Sequence, residues 1–114
     1  MSTVQADLTV YTNATWIDAL IWPGVDLTGM TLKLQLRDPA NPQNVVLELS
    51  TDNTFLAVTD PAAGHWAFDL PVAAAKDVPP AAYVYDVIAY LPADPRVWRY
   101  QSGTLTVTAG VTLR

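Results

Sequence analysis

The chain contains no cysteine. That excludes a disulfide-stapled scaffold, a thiol nucleophile and any thiolate-held zinc or iron–sulfur centre. Its one histidine, His65, cannot build a multi-histidine metal site within one copy. Cations are scarce: six Lys and Arg face eleven Asp and Glu, for a formal net charge of -5. An acidic chain with dispersed cations is a poor ligand for nucleic acid. The five glycines stand apart from one another, so no phosphate-cradling loop is present. The longest apolar stretch, near residues 19–23, is far too short to span a bilayer. Met1 to Leu8 lacks the basic and apolar regions of an export leader. The expectation is a soluble chain made in the cytoplasm, with no membrane and no nucleic acid among its partners.

What remains is apolar sequence sufficient for one domain. The 114 residues, 51% of them hydrophobic, support one core and leave no room for a second. Period-2 alternation dominates. Over 30–37, Met30, Leu32, Leu34 and Leu36 point one way and Thr31, Lys33, Gln35 and Arg37 the other. That is a strand with one buried and one wet face. The same pattern marks 65–70, 83–91 and 103–108, and more weakly 6–12, 15–22, 45–49 and 55–59. Turn residues separate the runs: Trp22-Pro23-Gly24, Thr28-Gly29, Asp38-Pro39 through Asn41-Pro42, Thr51-Asp52-Asn53, Asp60-Pro61 through Gly64, and Pro92-Ala93-Asp94-Pro95. The alanine-rich stretch 71–78, stopped by Pro79-Pro80, predicts a short helical crossover.

Seven to nine short strands with regular turns predict an all-β fold, an immunoglobulin-like antiparallel β-sandwich over residues 1–114, with a barrel as the alternative. Tyr83 follows the helical link, where such sandwiches place a corner tyrosine. Leu34, Trp66 and Tyr85 are candidates for the central space that a disulfide fills in antibody domains. The predicted inward set is Leu34, Leu36, Trp66, Phe68, Tyr85, Val87, Leu105 and Val107.

No constellation points to catalysis. His65 follows Gly64 in a turn, and alternation puts it on an outer face. Asp38, Asp60 and Asp94 each precede proline and read as turn formers. Asp86 lies mid-strand on the wet face, where aspartate is disfavoured, so a cross-strand partner among Lys33, Arg37 and Arg99 is expected. The oxygen-rich 50–54 segment lacks the ligand spacing of a calcium loop. The reading is a non-enzyme with no cofactor and no metal.

Aromatic residues exceed what one core explains. Both faces of 15–22 are apolar apart from Asp18, and Trp98 and Tyr100 flank Arg99. A strand with two apolar faces needs outer cover. Trp16, Trp22, Tyr90, Trp98, Arg99 and Tyr100 are therefore candidate interface residues, in a homo-oligomer or against another protein. Aromatic stacking of a carbohydrate on Trp98 and Tyr100 is the rival use.

A family pattern runs through these strands: Asp26-Leu27-Thr28-Gly29, Leu34-Gln35-Leu36-Arg37, Gly64 and Phe68, Pro79 through Tyr83-Val84-Tyr85-Asp86, Gly103-Thr104-Leu105-Thr106-Val107, and Val111-Thr112-Leu113-Arg114. It resembles small immunoglobulin-like domains of tailed bacteriophages and prophages, similar to the N-terminal domain of phage baseplate upper proteins. The resemblance covers about residues 8–112. It implies a structural protein of a virion tail or baseplate, assembled from the host cytoplasm, whose partners are itself or other virion proteins. Ala82 departs from the pattern, which often has glycine there. The chain ends with the domain and carries no receptor-binding extension, so an accessory or connector role is expected.

Overall fold

Leu32, Leu34 and Leu36 bury one face of a strand, Thr31–Asp38, and Lys33, Gln35 and Arg37 wet the other. Strands of this kind assemble into two facing sheets. The structure, a computed structural model, describes residues 4–112, so Leu113 and Arg114 of the terminal motif lie outside the described residues. In chain order the strands are β1 (Val4–Gln5), β2 (Leu8–Tyr11), β3 (Trp16–Ile21), β4 (Thr31–Asp38), β5 (Asn41–Ser50), β6 (Leu56–Asp60), β7 (His65–Leu70), β8 (Ala81–Tyr90) and β9 (Val97–Thr108). The larger sheet runs β1-β9-β8-β4-β5, with β2 also on β9. The smaller runs β3-β7-β6. The fold is an immunoglobulin-like β-sandwich.

The helical crossover is present as α1 (Val72–Ala75), which carries the chain from β7 in the small sheet to β8 in the large one. One turn of 3-10 helix, Pro61–Ala63, closes the β6–β7 link and ends at Gly64 in the left-handed region. Two expectations need correction. The expected 6–12 strand is shortened to β2, with a separate short strand β1 ahead of it across a break at Ala6-Asp7, and both pair with β9 in parallel rather than antiparallel fashion. The break follows from a close approach. A Cβ at Gly103 would collide with the carbonyl of Ala6, and Asp7 turns its carboxylate onto the Thr104 N–H at 3.1 Å.

All eight residues of the predicted inward set are buried. Each such apolar side chain contributes about 1.5–3 kcal/mol relative to exposure. Tyr83 makes the expected corner, its hydroxyl donating to the Pro79 carbonyl at 2.5 Å. Between the sheets, the Trp22 ring lies 4.9 Å from Trp66 and 5.0 Å from Tyr100. A buried relay crosses beside it. Trp22 Nε1 donates to Gln101 Oε1 at 3.0 Å, Gln101 Nε2 donates to the Tyr85 hydroxyl at 2.9 Å, and that hydroxyl donates to the Ala6 carbonyl. Trp66, with no exposed surface, has no hydrogen-bond partner for its indole N–H among the described residues.

Candidate interaction face

Three of the six expected interface residues are interior, which corrects that part of the sequence reading. Trp16, Trp22 and Tyr100 are 3%, 2% and 9% exposed. The causes are local. Trp16, Leu20 and Trp22 share one parity and point into the sandwich, leaving Ile17 and Ile21 outside. Tyr100 sits at an irregularity in the β8–β9 ladder. Val87 pairs with Gln101 and Ile88 with Arg99, so Tyr100 is the extra residue, and it turns inward onto Trp22.

The other three remain at the surface. Trp98 is half-buried against the core edge, with the Arg96 guanidinium 5.2 Å from its ring centroid. Tyr90 is half-buried on the outer face of the large sheet, its ring 5.8 Å from the Lys33 ammonium. Arg99 is exposed on that face, and its Nε donates to Asp86 Oδ2 at 3.2 Å. Asp86 thus has the cross-strand cation that its position called for.

The sequence reading puts Lys33, Gln35, Arg37 and Asp86 on wet faces and expects a cation for Asp86, but does not assemble them with Tyr90 into one candidate surface. β4 contributes Lys33, Gln35 and Arg37, and β8 contributes Val84, Asp86, Ile88 and Tyr90 to one surface. Val45, Val84 and Val97 are exposed there. The signal was available: facing strands with matched polar parity must share a wet face. Side chains on it are held in place. Arg37 donates to Pro42 O at 2.8 Å and to Gln35 Oε1 at 2.5 Å, and Gln35 Nε2 donates to Glu48 Oε1 at 2.7 Å. Gln35, Arg37, Val84, Asp86 and Arg99 rim a shallow hollow of about 130 Å³. Three cations and two carboxylates occupy the face of a chain whose formal net charge is -5, so positive charge is concentrated here.

The remaining candidates have structural explanations. Asp38 Oδ1 accepts from Ala40 N, and Asp94 Oδ1 from Arg96 N, each at 2.9 Å. Hydrogen bonds from Arg96 hold the Asp94 carboxyl down to about 2. Asp60 makes no such cap, in contrast to the other two Asp-Pro turns. Asn53 Oδ1 accepts from the backbone N–H of Ser50 and Phe55, which explains the oxygen-rich 50–54 segment as a turn. His65 is exposed at the start of β7. Among the described residues no group of three His, Cys, Asp or Glu is placed to hold a metal, and no helix is long and apolar enough to cross a membrane.

The shared motifs also serve the fold. Asp26 accepts from the N–H and hydroxyl of Thr28, and Leu27 is buried. Tyr83 makes the corner, Tyr85 joins the relay, and Asp86 meets Arg99.

No protein-family model matches the chain, and no curated protein sequence matches it. Among solved structures it is similar to a chicken T-cell receptor chain, with a TM-score of 0.58 and 13% identity. The match covers 96% of this chain and 57% of that one. At this identity the likeness carries the immunoglobulin-like fold and nothing further. The chain spans little more than half the length of the receptor chain it matches.

Proposed function

We propose that this chain is a non-enzymatic interaction domain of a phage or prophage virion, an accessory component of the tail or baseplate. It docks through the outer face of β5, β4, β8 and β9. The observation that carries this reading is the composition of that face. Exposed Val45, Val84 and Val97 lie among Tyr90, Arg37 and Arg99. The valines lie toward the two ends of the face, around a polar middle of Gln35, Glu48, Asp86 and Arg99, and exposed apolar side chains beside Tyr and Arg are a residue mix that protein interfaces favour. The hydrogen-bonded Arg37–Gln35–Glu48 row adds preorganisation, which lowers the entropy lost on docking. The virion assignment is supported by the motif resemblance and implies assembly from the host cytoplasm. The carbohydrate reading has less support, because Tyr100 is interior and Arg96 lies over the Trp98 ring.

Co-expression with the tail and baseplate proteins encoded beside its gene tests the proposal. The wild type is expected to co-purify with one of them or to sediment as an oligomer. A Val84→Glu, Arg99→Glu variant should lose that association while its circular dichroism stays unchanged. Undiminished binding by the variant, or binding of a glycan in its place, would overturn the reading.

A further inference from the structure

The small sheet has an edge that no described strand covers. β3 pairs with β7 alone. Its hydrogen-bonding parity follows from one contact: Trp22 N donates to Gly64 O at 2.9 Å. In an antiparallel ladder donors alternate between the two sides. Trp16, Asp18 and Leu20 therefore bond toward β7, and the backbone groups of Ile17, Ala19 and Ile21 face the open edge. Ile17 and Ile21 are also 67% and 50% exposed on the outer surface. Such an edge is a template for another strand.

One side chain stands in the way. Asp18 Oδ1 accepts the Ala19 N–H at 2.9 Å. That bond occupies the central donor of the free edge with a charged group. A charge turned onto an edge is a known way of blunting it.

We infer that β3 is a self-complementary pairing edge kept closed by Asp18, and that its occupant is a second copy of this chain. A two-fold axis through Ala19 sets Ala19 opposite Ala19 of the second copy, and Ile17 opposite Ile21 of the second copy. Every open N–H and C=O of Ile17, Ala19 and Ile21 then meets a partner. The isoleucines form one apolar row across the joint. Asp18 falls opposite Leu20 of the second copy, so the two carboxylates do not face each other. A two-fold axis through Asp18 places them opposite one another, which is destabilising. The result is a continuous six-stranded sheet spanning two copies.

The cysteine-free background makes a direct test possible. Hydrogen-bonded antiparallel pairs hold Cα atoms about 5.5 Å apart, within the span of a disulfide. Ala19→Cys is oxidised alone and with Asp18→Ala, and non-reducing electrophoresis follows the dimer. Asp18 is exposed, so Asp18→Ala is expected to fold, and circular dichroism checks this. Disulfide dimer should form about tenfold faster in the Asp18→Ala background, the factor for losing one charge-assisted hydrogen bond that competes with pairing. Ala67→Cys, on the central strand β7, should show no such gain. Equal rates in the two backgrounds, or equal cross-linking at Ala67, would overturn the inference. These variants leave the β4–β8–β9 face untouched, so loss of partner docking there is a separate result.

Discussion

Trp22 and Trp66 allow one substitution to be compared in two matched environments. Both indoles are buried, at 2% and 0% exposure, and their rings touch. Only one N–H is satisfied. Trp22 donates to Gln101 Oε1, whereas Trp66 has no partner among the described residues. Trp→Phe at either site removes the same atoms, so the transfer and cavity costs largely cancel in the comparison. The hydrogen-bond terms have opposite sign. At position 22 the change leaves the buried Gln101 oxygen without its donor, a loss of about 1–3 kcal/mol. At position 66 it removes an uncompensated buried donor and returns a similar amount, about 1–3 kcal/mol. Trp22→Phe should therefore be the more destabilising by at least about 2 kcal/mol. Urea unfolding followed by far-ultraviolet circular dichroism measures both, with equal m-values required for the comparison. Costs within about 0.5 kcal/mol of each other would mean that the Trp66 N–H is satisfied, and would refute the reasoning.

Three further outcomes follow from the same contacts. Tyr83→Phe leaves the Pro79 carbonyl without its donor and should cost about 1–3 kcal/mol in the same assay. Burial raises the phenols of Tyr83 and Tyr85 above their ordinary 10.0, so the folded chain holds these protons more tightly than the unfolded one. Their contribution is complete below about pH 10 and is lost as pH rises through the folded values; urea midpoints falling above pH 10, less steeply in Tyr85→Phe, would show it. Gly103→Ala forces a Cβ against the Ala6 carbonyl, and amide exchange at residues 4–7 should quicken before the rest of the sheet responds.

The strands were legible because one face of each is buried and the side-chain period is two. Leu34, Leu36, Trp66, Phe68, Tyr85, Val87, Leu105 and Val107 followed from that alone. Tyr100 was not legible: it occupies the extra position of a bulge, where alternation fails and Tyr100 and Gln101 turn inward together. Trp16 and Trp22 were misjudged for a different reason. The excess of apolar residues in 15–22 is real, but parity divides it, and the exposed share falls to Ile17 and Ile21. The β1–β2 break depends on Gly103, nearly a hundred residues away, and no local pattern reports it. The outer face of the large sheet required strand pairing, since Gln35 and Asp86 meet only once β4 lies against β8.

The parallel pairing of β1 and β2 with β9 has a mechanical consequence. The first described strands and the last run side by side in the same direction, Val4 beside Gln101 and Tyr11 beside Thr108. A pull on the two ends of the chain is then directed along the paired strands in opposite senses. The bonds of a parallel ladder are evenly spaced, so they bear such a load together in shear rather than opening one after another like a zipper. Rupture under tension is governed by the unfolding rate. In this topology the ladder between first and last strands is the barrier, and the hydrophobic interior is not exposed to the force until that ladder has slipped.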